Sequence, residues 1–269
     1  MLSHLVAMLR SLWRCRAFMR ATVEREFRTR YARSALGPIW LVLPSLAQII
    51  IFTVVFSALM RPSLPGMEGD RYAYSVYLCA GVICWGLFAE IVSRMSLVFI
   101  EHAAVIRKTS IPRASFPLIC AASALLNFAV LMALFLLFLL LVGKFPGAEI
   151  LYLIPVLAVQ VLLASALGVV VGVVNVFLRD LGHMVTVILQ FGFWLTPVVY
   201  SINVLPEQVA SLLQFNPMWP IVSAYQSIFV WQQAPSWLGL GYALVLALIL
   251  SALAAMTFHR MGADMVDEL

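Results

Sequence analysis

The stretch FIEHAAVIRKTSIPRASFP, residues 99–117, lies between two long apolar runs of the chain. Its charged side chains would each cost about 2.5–3.5 kcal/mol at the centre of a bilayer, so the stretch is predicted to lie outside the membrane. Residues from Glu101 to Lys108 can form about two helical turns before Pro112 prevents the helix from continuing. We expect a short helix that is exposed to water and available to a partner.

The composition of the whole chain is that of a membrane protein. Hydrophobic residues make up 64% of it, charged residues 11%, and the mean hydropathy is +1.02, against about 45–50% and about 25% for a soluble domain. Eight of the 17 Lys and Arg residues precede Gly37. The net charge of +5 therefore indicates orientation in a membrane, and nucleic acid is not an expected partner.

Six segments are apolar and long enough to cross a hydrocarbon core of about 30 Å. They cover residues 39–60, 76–98, 116–142, 151–174, 183–200 and 237–258. The predicted fold is an all-α, polytopic membrane protein with a single domain over 1–269. In it, 1–36 forms an amphipathic interface helix and 37–269 forms a six-span bundle.

The region between the fifth and sixth spans is too apolar for a loop in water and is interrupted by prolines. Its two runs, 207–214 and 221–231, meet at Asn216 and Pro217, and each is shorter than a span. Such lengths are typical of a re-entrant or interfacial helical hairpin.

The basic residues predict the orientation of the chain. Thirteen of the 17 Lys and Arg residues lie on the side that holds both termini and the stretch 99–117, and three lie on the other side. The positive-inside rule places the termini and this stretch in the cytoplasm and the hairpin outside. The cytoplasmic side is also where ATP is found.

Two pairs of opposite charges have a structural or a functional interpretation. Glu90 and Arg94, at i,i+4 in the second span, either neutralise each other or form a substrate or proton site. Arg179 and Asp180, in a short loop, are predicted to be a structural pair. The cysteines lack metal-binding spacing, so free thiols are expected, with a Cys79–Cys84 bridge as the alternative.

Small residues and a polar stripe mark two further helices. In the fourth span Ala164, Gly168 and Gly172 follow a small-xxx-small pattern, which predicts close contact with another helix. The fifth span carries one narrow polar and aromatic stripe, which lines either a cavity or a partner helix. Its members are His183, Thr186, Gln190, Phe193, Trp194 and Pro197.

The sequence contains no motif for an energy source or for catalysis. GxxxxGK[ST], GxSxG, HExxH and CxxC are all missing, and Glu90 is the one acidic residue deep in a span. We expect a transporter rather than an enzyme, with no catalytic residue, no metal and no cofactor in this chain, driven by another subunit.

Five motifs, in order, resemble those of polysaccharide-export ABC transporter permeases, and most closely those of O-antigen (lipopolysaccharide) export permeases. They are RTRYARSALGPIWLVLPSLAQIIIFTVVF at 28–56, IRKTSIPRASFP at 106–117, NVFLRDLG at 175–182, FWLTPVVY at 193–200 and FNPMWPIV at 215–222. Together they extend over nearly the whole chain.

This resemblance implies a homodimer in the bacterial inner membrane that docks on two copies of a separate nucleotide-binding ATPase, which holds ATP and Mg. The cargo would be a polyprenyl-diphosphate-linked polysaccharide, and the hairpin would be an outer gate. The implied coupling helix and its exit include Glu101, His102, Val105, Ile106, Arg107, Lys108, Pro112 and Arg113.

A sugar chain presents both hydroxyls and apolar CH faces, so its pathway favours aromatic rings with amides nearby. The candidate pathway residues are Gln48, Gln190, Phe193, Trp194, Pro197, Tyr200 and Tyr225. The alternative for the aromatic residues is a headgroup belt. The basic residues Arg25, Arg28 and Arg30 would contact either the lipid diphosphate or anionic headgroups.

Two other classes of transporter remain open. One is an ABC-type lipid or drug exporter, which has the same architecture but needs a lateral entry for lipid. The other is a self-sufficient secondary transporter, for which Glu90 is the one plausible coupling group.

Overall fold

The computed structural model describes residues 13, 15–31, 39–55, 64, 66–67, 69–108, 111–202, 206–261, 265 and 268, leaving aside the side chains of 27–31, 39–42 and 44–45. Over these residues the regular structure is helical, as predicted. The ten α-helices are α1 (Arg16–Tyr31), α2 (Ile39–Thr53), α3 (Ala73–Glu101), α4 (Ala103–Lys108), α5 (Ser115–Val142), α6 (Leu153–Phe177), α7 (Leu181–Leu195), α8 (Glu207–Leu213), α9 (Met218–Gln226) and α10 (Trp237–Met261).

Four helices of the described chain are long and apolar enough to cross a membrane. They are α3, α5, α10 and α6 together with the 3₁₀ turn Ala148–Tyr152 that precedes it. They coincide with the second, third, sixth and fourth predicted spans. Helices α2 and α7 lie in the first and fifth predicted spans, and each has 15 residues.

Helix α7 ends five residues before the predicted end of the fifth span. Thr196 has extended backbone angles, φ −105° and ψ 133°. The following residue is Pro197, whose ring disfavours the helical conformation of the residue before it. Residues 196–200 therefore connect α7 to the hairpin as irregular backbone.

Helix α3 is the centre of the fold. It packs against α5, α6, α7 and α9, and 19 of its 29 residues are buried. The contact with α6 is close because Gly168 and Gly172 face Met95. A methyl group added at Gly168 would lie 2.7 Å from the Met95 Cβ, and one at Gly172 would overlap the Met95 carbonyl oxygen. The predicted small-residue contact is confirmed.

The hairpin region contains two helices joined by a tight turn. Asn216 forms the turn: its side-chain oxygen accepts a hydrogen bond from the Met218 amide at 2.9 Å. Helix α9 and the π turn Ser227–Trp231 that follows it are packed into the core, with Ile221, Tyr225 and Ile228 fully buried. The second arm is thus a core element of the subunit.

Candidate functional site

Helix α4 presents a charged surface next to the end of α3. Only His102 separates the two helices, and its Nδ1 lies 2.9 Å from the Val98 carbonyl oxygen. The His102 ring also lies 5.0 Å from the Phe116 ring, which fixes the turn against α5. Ile106 is buried and anchors α4, so a force on this short helix would act directly on α3.

The predicted coupling residues divide into an exposed and an inward-facing set. Glu101, Arg107 and Lys108 are exposed, whereas Ile106 is buried. The half-buried residues are His102, Val105, Pro112 and Arg113. The exposed set leaves both a carboxylate and two cations free to meet a complementary surface.

A charge network that the sequence did not predict joins α1 to the bundle. Glu26 of α1 forms an ion pair with Arg94 of α3, and its other oxygen accepts a hydrogen bond from Ser123 of α5 at 2.8 Å. The predicted Glu90–Arg94 pair is present at 3.6 Å, and Asn127 donates a 2.6 Å hydrogen bond to Glu90. The structural interpretation of Glu90 and Arg94 therefore extends to a third helix.

No local sequence pattern identifies Glu26 as the partner of Arg94. The two residues are 68 positions apart, and Glu26 belongs to a helix with charges on several sides. Its signal is indirect: Arg94 lies in an apolar span, where a single i,i+4 carboxylate does not satisfy all five of its N–H donors.

The predicted pathway residues differ in exposure. Gln48, Gln190 and Trp194 are exposed, and Phe193 and Tyr200 are half-buried. Helix α7, which carries three of these five, has Val185 as its one buried residue among 15. Most of the α7 surface is therefore free of contacts with the described part of the chain and available to a partner, to lipid or to a pathway.

Tyr225 is a core residue, contrary to its predicted place in the pathway. It is 0% exposed, and its hydroxyl donates a 2.7 Å hydrogen bond to the Gln160 side chain. Gln160 in turn donates to the Cys84 carbonyl oxygen at 2.7 Å. Tyr225 instead joins α9 to α6 and α3 inside the subunit. Pro197 is also buried.

The irregular residues after α7 are held by side chains from two other helices. Tyr74 donates to the Val199 carbonyl oxygen at 2.8 Å, and Tyr77 donates to the Tyr200 carbonyl oxygen at 2.9 Å. Gln226 of α9 donates to the Pro197 carbonyl oxygen at 3.3 Å. These donors replace the hydrogen bonds that a continued helix would have made.

A small cavity lies between α2, α3 and α5. Its volume is about 130 Å³, and Gln48 is the most polar side chain in a lining that is otherwise formed by Ile49, Phe52, Cys79, Val82, Ile83, Gly86 and Leu131. A cavity of this kind accommodates an apolar group rather than a charged one.

The loop between α6 and α7 is held by an asparagine instead of the predicted charge pair. Arg179 and Asp180 are both exposed, and the ion pairs among the described residues do not include the two together. Asn175 donates to the Ser96 carbonyl oxygen at 2.7 Å and accepts from the Gly182 amide at 2.8 Å. This contact fixes the start of α7 against α3.

Known proteins with similar sequences identify the family. The sequence pattern described as ABC-2 type transporter matches residues 18–230. The chain belongs to the ABC-2 type transporter family. The prediction of a transporter subunit rather than an enzyme is thereby confirmed.

Several relatives of this ABC-2 transporter are named as export or transport proteins. An O-antigen export system permease protein RfbA of Klebsiella pneumoniae is 27% identical over 208 residues, 77% of this chain and 78% of the relative. The RfbA of Myxococcus xanthus is 25% identical over 233 residues, 86% and 87% of the two chains. The polysialic acid transport protein KpsM of Escherichia coli is 23% identical over 211 residues, 76% and 79% of the two chains.

Two remaining predictions for this ABC-2 chain concern basic residues and cysteines. Arg25 is exposed on α1, whereas the side chains of Arg28 and Arg30 lie outside the described residues. The four cysteines are free thiols, as expected, and the alternative Cys79–Cys84 bridge is not formed.

Proposed function

We propose that this chain is the membrane subunit of an ATP-driven exporter that moves a lipid-linked polysaccharide of the O-antigen type out of the cytoplasm. Membership of the ABC-2 family supports a partner ATPase, and the names of the RfbA and KpsM relatives support a polysaccharide cargo. The cargo would be carried on a polyprenyl diphosphate, and its charged end would meet basic residues such as Arg25.

The observation that carries this proposal is the exposed charged face of α4 directly beside the end of α3. A six-residue helix with a buried Ile106 and exposed Arg107 and Lys108 has the form of a docking element. Two copies of an ATPase, which would hold ATP and Mg, would bind two copies of this chain through this helix.

The exporter would be a homodimer of six-span subunits in the bacterial inner membrane. Helices α2 and α7 would complete the first and fifth spans, and both termini with α4 would face the cytoplasm. The exposed surface of α7, including Gln190 and Trp194, supports a role in the pathway or in the contact between subunits. The α8–α9 hairpin would lie at the outer end.

The environment of Glu90 weakens the case for a secondary transporter. Its carboxylate accepts a hydrogen bond from Asn127 and lies 3.6 Å from Arg94, so two neighbours inside the bundle hold it in place. A coupling carboxylate must instead exchange protons during transport.

Cysteine cross-linking tests the docking of the ATPase. Ala104→Cys and Lys108→Cys, both at exposed positions of α4, should each be captured by the nucleotide-binding subunit in cells. The matched control is Gln233→Cys, an exposed position in the loop before α10, which should give no such product. Failure of both α4 variants to cross-link would contradict the proposed docking.

The cargo is tested with the chain and its ATPase reconstituted together in liposomes. Lipid-linked glycan supplied on the ATPase side should reach the opposite side when ATP and Mg are present, and it should stay in place without them. Transport of the lipid alone at an equal rate would instead favour the lipid exporter.

A further inference from the structure

The five residues 196–200 are irregular in conformation but packed inside the subunit. Thr196 and Val198 are 0% exposed. A backbone carbonyl without a donor in an apolar environment costs several kcal/mol. The interior position of this segment therefore depends on the side chains that donate to its carbonyl groups.

All of these donors come from outside the segment. Tyr74 and Tyr77 of α3 reach the Val199 and Tyr200 carbonyl oxygens at 2.8 and 2.9 Å. Tyr77 also reaches the Pro197 carbonyl oxygen at 3.5 Å. Next to Tyr77, the Gln226 amide lies 3.3 and 3.5 Å from the Pro197 and Val198 carbonyl oxygens. We call these three side chains the clasp.

One face of α3 is shaped for the segment and for the end of α7. Tyr74, Tyr77, Gly81 and Trp85 follow each other at spacings of three and four, so they lie along one face of the helix. A methyl group at Gly81 would be 2.9 Å from the Val198 carbonyl oxygen. A methyl group at Gly192 would be 2.9 Å from the Trp85 ring.

The clasp lies at the opposite end of α3 from the charged helix α4. Tyr74 is the second residue of α3 and Glu101 is the last. A helix of this length spans about 43 Å, enough to cross a bilayer. If α4 faces the cytoplasm, the clasp lies at the outer end of the subunit, where the segment leads into α8 and α9.

We propose that Tyr74, Tyr77 and Gln226 are positioning residues that keep the outer end of the export pathway closed between transport events by holding residues 196–200. This inference rests on the proposed function. When the segment moves away, its carbonyl groups need new donors, and the hydroxyl groups of a sugar chain provide them. A glycan thus stabilises the open arrangement in a way that an apolar cargo does not.

Leakage through the resting protein tests the clasp without requiring glycan or ATP. The full chain, together with its ATPase, is reconstituted in liposomes that contain carboxyfluorescein. Tyr77→Phe removes the hydroxyl donor and keeps the ring, and Gln226→Met removes the amide donor at similar length. Each should release the dye several-fold faster than the unmodified chain.

The matched control is Tyr225→Phe, which also removes a buried tyrosine hydroxyl but leaves the segment untouched, since that hydroxyl donates to Gln160. Liposomes that contain this control variant should retain the dye as well as those that contain the unmodified chain. Tyr74→Phe, at a half-buried position, provides a milder third variant if Tyr77→Phe does not fold.

Two results would overturn the clasp. One is that folded clasp variants, with unfolding temperatures close to that of the unmodified chain, retain the dye as well as it does. The other is that the unmodified chain leaks as fast as they do. Either result would leave ATP-dependent glycan transport to be judged on its own assay, so failure of the clasp and failure of the proposed function are distinguishable.

Discussion

At the scale of single residues, the distance between α3 and α6 is set by two glycines. Gly168 and Gly172 allow the α6 backbone to approach Met95 so closely that no side chain fits between them. A larger residue at Gly172 meets a backbone oxygen, which cannot rotate away as a side chain can. The close packing of α6 on α3 therefore depends on the absence of a methyl group at these two positions.

Gly172→Ala should destabilise the protein by about 1–3 kcal/mol or more, because overpacking forces the two helices apart. The measurement is the thermal unfolding midpoint of the purified protein in detergent. Gly241→Ala is the matched control, since a methyl group there meets no atom within 4 Å. It should leave the midpoint unchanged or raise it slightly; equal losses in both variants would contradict this account.

The close contact of α6 with another helix could be predicted because the small residues that allow it recur every four positions within one helix. The break after Leu195 was missed, although Pro197 was visible, because prolines also occur within membrane helices. Whether such a proline ends the helix depends on donors elsewhere, here Tyr74, Tyr77 and Gln226. These donors lie far apart in the sequence, from Tyr74 to Gln226, so no local pattern around Pro197 reveals them.

At the scale of elements, α1 is attached to the bundle through an ion pair and a hydrogen bond. Glu26 meets Arg94 and Ser123, so that α1, α3 and α5 share one hydrogen-bonded network. A helix that only rested on the membrane surface would not need such a link. Movement of α3 should therefore be accompanied by movement of α1.

Glu26→Gln should weaken the attachment of α1 by about 1.5–3 kcal/mol, the range for hydrogen bonds to charged groups. Amide hydrogen exchange in residues 16–31 should become faster. Glu24→Gln on the same helix is the control, because Glu24 pairs with Arg20 at an exposed site and such pairs contribute about 0–1 kcal/mol. If the two variants exchange alike, Glu26 does not hold the helix.

The sequence predicted the positions of the helices better than the surfaces against which they pack. Hydrophobic runs gave α3, α5, α6 and α10 within a few residues, since length and apolarity suffice for a membrane helix. The hairpin arms were also located, but their apolar residues suggested an interface with lipid. In the structure Ile221 and Tyr225 pack against other helices of the subunit, because a protein core and a bilayer select the same side chains.

At the scale of the whole molecule, the distribution of basic residues predicts the orientation. The charged helix α4 and the loop that contains Gln233 lie at opposite ends of the membrane-spanning helices. Helix α4 should therefore face the cytoplasm, and the loop should face the outside. At the same set of helix ends as this loop, an ion pair between Asp70 and Lys144 joins the segment before α3 to the segment after α5.

A membrane-impermeant thiol reagent tests this orientation in intact cells. In a Cys15→Ser background the remaining cysteines are buried, which lowers unspecific labelling. Gln233→Cys should react in cells whose inner membrane is intact, whereas Lys108→Cys should react only after that membrane is permeabilised. The reverse pattern would place α4 outside and would remove the basis for docking to an ATPase.

Helix α3 contains no proline in its 29 residues and is packed against α2, α5, α6, α7 and α9. It therefore has no proline kink at which its two ends could turn independently, and it is expected to move as a rigid unit. In an exporter built around such a rigid helix, movement at the cytoplasmic end and opening at the outer end occur together instead of in succession. An occluded conformation, closed at both membrane faces with cargo trapped between them, is therefore not expected to accumulate.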